Sequence, residues 1–456
     1  MSERIVVVGG GFAGSDVARR LEKLAPDAAI RLVCPDDYML YLPLLPQVAA
    51  GFLPAAAAVV SLSRRLRRTV LVPGRATGVD LAARRVLVRS ITGNPEVVPY
   101  DRLVLAPGSV TKVMDIPGLR EYGRGCKTLA EAAFLRDHVL AQLEVANTSH
   151  DPDERARRCR FVVVGGGYAG VETAANLQLT TSVVARRFPR IDPALVQWHV
   201  VQHHDGLMPG LGDRLGEDTR RVLESRGIHV DLGVGVTAVD DETATLSDGR
   251  ELPTKTLIWT AGGSPSPLMG RLDAATDHGR LVVGADLAVP GHPEVLALGD
   301  AAAVPDLATG GGAVCAPTAQ HASRQARTTA ANVAASLTGQ PTREYRHRDL
   351  GMVVDLGGAE AVAKPFGVDL SGVPAAGVTR AYHLWAMRAP AAIARVAAAW
   401  ALGAVEGPST VRLGFLTGAS GRLAEFEHTD DYLDPTETRE AIAAIPDGLT
   451  PRGSPA

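Results

Sequence analysis

Four cysteines in 456 residues, Cys34, Cys126, Cys159 and Cys315, are too few and too scattered for a disulfide framework or a zinc site, since no two share a C-x-x-C or similar spacing. An excess of one charge is also lacking. The 47 basic and 50 acidic residues make no electrostatic case for a nucleic-acid partner. Among 12 histidines, His203 and His204 are adjacent, but no H-x-x-x-H pair with a carboxylate stands near them, so no metal site is expected. Long apolar runs are scarce as well. Residues 38–63 carry no charge yet are interrupted by Pro43, Pro46, Gly51 and Pro54, which predicts a loop with short helical pieces. Residues 380–405 hold Arg388, Pro390 and Arg395, and read as an in-plane surface helix and not as a span. No charged, apolar, small-residue leader precedes the first strand, from which a cytoplasmic location is expected.

What the chain does contain is a duplication. IVVVGGGFAGS at 5–15 recurs as VVVGGGYAGVE at 162–172: a β-branched run, a G-x-G-x-x-G and an alanine-rich stretch suited to a helix. The glycines are Gly9, Gly11 and Gly14, then Gly165, Gly167 and Gly170. They permit a tight turn, let backbone approach a pyrophosphate and let helix pack on strand, while the helix N-terminus offers unpaired N–H groups and positive potential. Two copies in register imply two dinucleotides. A chain that holds two is most simply an electron-transfer enzyme, with one a bound flavin and the other a diffusing nicotinamide. The length has room for two or three domains.

Other segments fall into place around the two units. Thr69 to Val104 alternates short β-branched runs with turns and predicts a small antiparallel sheet. LVLAPGS (103–109) and EVLALGD (294–300) read as buried strands ending beside a cofactor. Thr128 and Glu131 form a capping box that opens a helix towards Asn147, and HDPDERARRCR (150–160) reads as a charged linker. Helices are predicted over Asp16–Leu24, around Arg214–Arg226, and from Pro317 onward with Gln320 in the first turn. Arg64, Arg65, Arg67 and Arg68 read as a solvated face. The tail from Gly407, with Asp430, Asp431, Asp434 and Glu437, is expected to be loosely ordered.

With both units in view, the segments DDYMLYLPLLPQVAAG, GGGYAGVE, APTAQHASRQ and RAYHLWAM together resemble the type II NADH dehydrogenases, single-chain NADH:quinone oxidoreductases among the two-dinucleotide-binding flavoproteins. The resemblance implies an α/β fold of two Rossmann-like dinucleotide-binding domains, the second inserted in the first. An FAD-binding domain would take residues 1–112 and 280–345, an NAD(P)H-binding domain 113–279, and a helical membrane-associated region 346–406, ahead of the tail at 407–456. Gly9, Gly11 and Gly14 would hold the FAD pyrophosphate and Asp300 the ribityl chain, with Ala106, Gly108 and Gly299 beside the flavin. Cys34 stands where a carboxylate usually binds the adenosine ribose, and Asp36 is its substitute. Gly165, Gly167, Gly170, Ala261 and Gly262 would hold the nicotinamide dinucleotide. Gln202 replaces the acidic residue that normally repels a 2′-phosphate, which leaves NADPH open beside NADH.

The same resemblance makes Glu172 a catalytic residue near nicotinamide and flavin, and gives Ala319 and Gln320 to a quinone site, with Arg324 where a second Gln is often found and Gln325 after it. By themselves, Glu172 reads equally as a first-turn Glu favoured by the helix dipole, and Gln320 as a surface helix residue. Disulfide reductases and sulfide:quinone oxidoreductases of this scaffold carry cysteine pairs, which this chain lacks. Cys126 and Cys159 read as structural; Cys315 lies close to the expected flavin and quinone site. The expected activity is hydride transfer from NADH to FAD, then transfer of two electrons to a membrane quinone, by a peripheral protein on the cytoplasmic side of the cell membrane. Its membrane helix would present Tyr382, Trp385, Ile393, Val396 and Trp400, and a homodimer is compatible with the sequence. The alternatives are another acceptor on the same scaffold, or a slow redox-sensing or structural NAD(P)H-binding flavoprotein, which Cys34, Gln202 and Arg324 favour.

Overall fold

The computed structural model describes residues 2–414, 416–418, 420–427 and 431–445. Four successive β-branched residues make Arg4–Val8 (β1), buried from Ile5 onward as a parallel strand covered on both faces must be. The chain turns through the glycines into Phe12–Leu24 (α1) and returns as Ala29–Cys34 (β2), parallel to β1. The uncharged stretch that follows does consist of short pieces, including Leu45–Ala49 (α2), and much of it is buried. Its lack of charge reflects burial against the first unit.

Val70–Asp80 (β3) runs parallel to β2 as far as Pro73 and antiparallel to Arg85–Ser90 (β4) from Gly74 onward. With Pro95–Pro99 (β5) it therefore extends the first sheet. The expected antiparallel pairing is thus present as an extension of the first sheet, because one 11-residue strand is long enough to serve two pairings. Arg102–Leu105 (β6) then lies on the other side of β1.

The inserted unit begins with Gly123–Arg124 (β7) and with Leu129–Thr148 (α3), opened by the Thr128–Glu131 capping box the sequence predicts. The expected charged linker is instead a helix, Pro152–Cys159 (α4): Asp151 caps it, Pro152 suits its first turn, and Arg157 and Arg158 pair with Glu154. Arg160–Val164 (β8), Tyr168–Ala185 (α5), Gln197–Gln202 (β9), Asp213–Ser225 (α6), Ile228–Leu232 (β10) and Thr256–Trp259 (β11) complete a parallel sheet in the order β7-β11-β8-β9-β10. Ala288–Val289 (β12) and His292–Ala297 (β13) then rejoin the first sheet, whose order is β12-β13-β6-β1-β2-β3-β4-β5. Ala319–Leu337 (α7) packs along α1. The fold is thus α/β, one Rossmann-like unit inserted in another.

A small antiparallel sheet follows, Val353–Asp355 (β14), Ala361–Ala363 (β15) and Leu370–Ser371 (β16). The single helix expected over 380–405 is two, Gly372–Met387 (α8) and Pro390–Glu406 (α9). Pro390 lacks an N–H and its ring would clash with the preceding turn, so the chain breaks at Arg388, which takes φ of +49°. Val396, expected on a lipid face, is fully buried, and Trp400 donates to Gln47 Oε1 at 2.7 Å. No helix among the described residues is long and apolar enough to cross a membrane.

The tail, expected to be loose, is exposed over 411–414 but packs on the rest of the molecule further on. Pro435–Ala443 (α10) lies on β3, with Thr438 against Gly78, and Leu423, Tyr432 and Ile442 are buried. Its acidic residues have partners: Asp434 and Glu437 form a capping box, and Asp431 pairs with Arg89. Asp430 and residues 446–456 lie outside the described residues.

Candidate active site

The two glycine-rich turns are built alike. Gly9 and Gly165 take φ of +101° and +115°, which L side chains rarely adopt. A Cβ on Gly14 would sit 1.9 Å from Gly9 O, and one on Gly170 would sit 1.9 Å from Gly165 O. Those glycines are required by close packing of helix on strand. The middle glycines differ in kind: a Cβ on Gly11 or Gly167 would meet nothing within 4 Å, and each is the N-cap of its helix with no side chain on the free N–H groups. Each turn therefore offers an open, uncapped helix N-terminus that fits a dinucleotide pyrophosphate.

The residue ending the second strand of each unit serves its own turn. Cys34 Sγ packs on Gly10, 2.6 Å from where a Cβ there would sit. Gln202 is buried; its Oε1 accepts the N–H of Gly166 at 3.0 Å and its Nε2 donates to Gly206 O at 3.3 Å. Gln202 has both ends of its amide committed within the protein, so the ribose-facing role expected from sequence is not where its polar atoms are. Asp36 is exposed beyond β2.

Gly299 and Asp300 follow β13 and sit between the starts of α1 and α7: a Cβ on Gly299 would be 3.7 Å from Ala13 and 3.4 Å from Ala322. Ala106 and Gly108 follow β6 beside them, with Ala106 O against Gly9. Asp300 Oδ2 accepts from Ser109 Oγ at 2.6 Å, and Ser109 accepts from Lys127 Nζ at 2.8 Å. Burial lowers the Lys127 ammonium, against the opposing pull of Asp300 and Glu131. Ser109 and Lys127 are functional candidates the sequence reading missed. LVLAPGS carried the first, but nothing local marks Lys127. Ala261 and Gly262 follow β11 beside Gly165.

Glu172 is buried in α5, and burial first, then the neighbouring Asp355 carboxylate, pushes its carboxyl well above the usual range. No protein cation reaches it among the described residues. All four cysteines are free; burial pushes the thiols up, Cys126 to about 12 and Cys159 and Cys315 to about 11, so none is a ready nucleophile.

A cavity of about 120 Å³ opens between the start of α1, the first turns of α7 and the break between α8 and α9. Phe12, Tyr41 and Trp385 supply aromatic walls; Arg65, Arg324 and Arg388 supply positive charge. Of the residues named for a quinone site, Ala319, Gln320 and Arg324 line this cavity and Gln325 does not: it is buried, with Oε1 on the N–H of Gly299 at 2.7 Å. Gln320 is also committed, accepting from Leu350 N–H at 2.9 Å and donating to Gly351 O at 3.0 Å. Arg65 is not solvated as expected. Its side chain is 8% exposed and donates to Asp16 at 3.4 Å. Tyr41 is buried with its hydroxyl 3.2 Å from His383 Nδ1, and burial lowers that imidazole to about 4.

Residues 3–326 match the family model of the pyridine nucleotide-disulphide oxidoreductases. The chain is 31% identical over 389 residues to the type II NADH:quinone oxidoreductase Ndh of Mycobacterium tuberculosis, covering 81% of each. It is 30% identical over 392 residues to the demethylphylloquinone reductase NdbB of Synechocystis, covering 84% of this chain and 91% of that protein. Among solved structures, NDH2 of Plasmodium falciparum in complex with NADH superposes with a TM-score of 0.84 at 17% identity, covering 90% of this chain and all of that one. That last likeness speaks to the fold.

Proposed function

From the premise that the chain belongs to the pyridine nucleotide-disulphide oxidoreductases, and within them to the type II NADH:quinone oxidoreductases, we propose that it carries two electrons from NADH, through a bound FAD, to a quinone. The observation that carries this reading is the pair of open, uncapped glycine-rich turns, one in each unit, with an aromatic-walled cavity reaching the start of α1. Bound FAD would supply the chemistry by accepting a hydride and releasing two electrons.

The residues do the positioning. The N–H groups at Gly11 and α1 would hold the FAD pyrophosphate, and those at Gly167 and α5 the nicotinamide dinucleotide. Lys127 and Ser109 fix the Asp300 carboxylate that would take the ribityl hydroxyls. Glu172 would hold a proton beside the two rings. In the cavity, Tyr41 and Arg65 have donors to offer a quinone carbonyl, while the Gln320 amide holds the 349–351 loop in place. With three thiols buried, Cys34 half-buried, and all four pushed up by burial, electrons need no cysteine pair.

The acceptor side would face a membrane surface, on the cytoplasmic side where NADH is formed. Trp385, Leu402 and Val405, at 59%, 60% and 87% exposed, project from α8 and α9 with exposed alanines around them. Such a face inserts at the headgroup boundary by apolar burial more than by charge.

The deciding experiment is the visible spectrum of purified protein before and after anaerobic NADH, followed by turnover with a short-chain quinone. A yellow protein bleached by NADH and reoxidised by quinone is expected. A colourless folded protein, or one reduced by NADH that no quinone reoxidises, would sink the reading. Sedimentation with liposomes that survives high salt, and that falls in a variant with Trp385, Leu402 and Val405 changed to Ser, tests the membrane face.

A further inference from the structure

A buried polar chain runs from α5 to the C-terminal helices. Glu172 Oε1 accepts the N–H of Asp355 at 2.9 Å. Asp355 Oδ2 accepts from Gln47 Nε2 at 2.7 Å, and its Oδ1 accepts from the N–H of Gly357 at 3.2 Å. Gln47 Oε1 in turn accepts from Trp400 Nε1 at 2.7 Å. Glu172, Gln47 and Asp355 are all less than a tenth exposed. Four elements, α5, β14, α2 and α9, thus meet on one pair of carboxyl groups.

Two carboxyl groups buried side by side cannot both ionise unless charge or donors compensate them; burial raises both, and the donors and cations that oppose it gather on Asp355. Gln47 from α2 and Gly357 after β14 donate to Asp355, while the nearby Asn176 amide of α5 donates to the Glu172 carbonyl at 2.9 Å. Arg380 of α8 and Arg226 at the end of α6 also act on Asp355, their guanidinium groups bonded to the carbonyls of residues 356–358. Glu360 faces Arg226 from the far side. Among the described residues Glu172 receives only the N–H of Asp355, and Cys126, ahead of α3, faces it as a neutral thiol.

We propose that Asp355 is a positioning residue for Glu172: its N–H orients the Glu172 carboxyl, and its own carboxylate, pinned by Gln47 and Gly357, makes Glu172 the member of the pair that carries the proton. Through Gln47 and Trp400 that arrangement is tied to α9, at the acceptor end of the molecule. The functional weight of the proposal rests on the reading that α5 opens onto the nicotinamide site.

Difference infrared spectroscopy of the flavin-loaded protein, titrated in pH without NADH, reads the carbonyl stretch of a buried protonated acid. The wild type should show such a band, with a midpoint well above the carboxylate range, and Glu172→Gln should lack it. In Asp355→Asn the midpoint should fall by about one pH unit or more, because removing a like charge eases ionisation. The pH limb of flavin reduction by NADH should fall with it, with flavin content and unfolding temperature as controls. Gln47→Met leaves both carboxyls in place and should move the midpoint the same way by less, which keeps the test open if Asp355→Asn does not fold. A midpoint unmoved in the variants that fold overturns the proposal, as does a band that survives Glu172→Gln and disappears in Asp355→Asn. If the infrared midpoint moves and the NADH limb does not, the pair stands and the nicotinamide placement fails.

Discussion

Asp16 and Glu172 occupy the same place in the two glycine-rich units, two residues beyond the third glycine, and both are buried. Around Asp16, Arg19 and Arg20 donate at 2.7 and 2.8 Å and Arg65 at 3.4 Å. Burial pushes that carboxyl up, but the Arg19 and Arg20 bonds outweigh it and hold it below the usual range. Around Glu172 burial has no such opponent, and Asp355 adds to it. A motif position therefore does not carry a charge state; the neighbours folding brings to it do. In the unit read as flavin-binding the carboxylate anchors three arginines, one of them in the wall of the cavity. In the unit read as nicotinamide-binding the same position is left able to hold a proton.

The largest effect expected from breaking this parallel comes from the third glycines. Gly14→Ala and Gly170→Ala each drive a methyl to within 1.9 Å of a backbone oxygen, overpacking that costs about 1–3 kcal/mol and displaces the turn. Gly14→Ala should purify with flavin content lowered at least about tenfold. Gly170→Ala should stay yellow and lose at least about tenfold in the rate of flavin reduction by NADH, a difference of about 1.4 kcal/mol. Loss of flavin in both, or in neither, would mean the units are not divided in this way.

The next effect is on stability against pH. The depressed Asp16 contributes stability that is complete above the ordinary carboxylate pKa of about 4 and fades as pH falls through its lower folded value. The raised Glu172 works the other way: its contribution is complete below about 4 and is lost as pH rises through its higher folded value. Asp16→Asn should cost about 2–3 kcal/mol at neutral pH, short of the full cost of breaking a buried pair because Arg19 and Arg20 reach solvent. It should also flatten the acid limb. Glu172→Gln should cost little and flatten the alkaline limb. Urea midpoints measured across pH check both, and an Asp16→Asn protein as stable as wild type would contradict the account.

Smaller effects follow at the strand-end residues. Gln202→Glu keeps the acceptor for Gly166 but loses the donor to Gly206, at a cost of about 1 kcal/mol in stability. Because the side chain is turned onto the loop, the ratio of NADH to NADPH turnover should change by less than about threefold. A shift of about a hundredfold, some 2.7 kcal/mol, would show that residue 202 reaches the ribose after all. Cys34→Ser, which keeps a small side chain packed on Gly10, should change flavin content and stability least, by under about 0.5 kcal/mol in urea unfolding.

Much of this was legible before the fold was known, and the divide runs between local and distant causes. The turns, the Thr128–Glu131 capping box and the strands leading to Gly108 and Gly299 depend on residues a few positions apart, and they stand where the sequence places them. The break at Pro390 was equally local, but apolar content masked it. Gln202, Gln320 and Gln325 were named for ligands, yet their amides are taken by backbone of the protein itself. Composition could not reveal that, because a glutamine offers the same donors and acceptors to a loop as to a substrate.

By itself the sequence determined where this chain can turn and where helix can pack tightly on strand: positive φ at Gly9 and Gly165, and the closeness of helix to strand at Gly14 and Gly170, exclude every side chain but glycine. Only the tertiary structure decided what the carboxyl and amide groups beside those turns do. Arg65 reaches Asp16 from 49 residues away, and Asp355 reaches Glu172 from 183. In a buried site the charge of an acid is set by the partners that replace its lost water, and those partners arrive from parts of the chain that no motif connects.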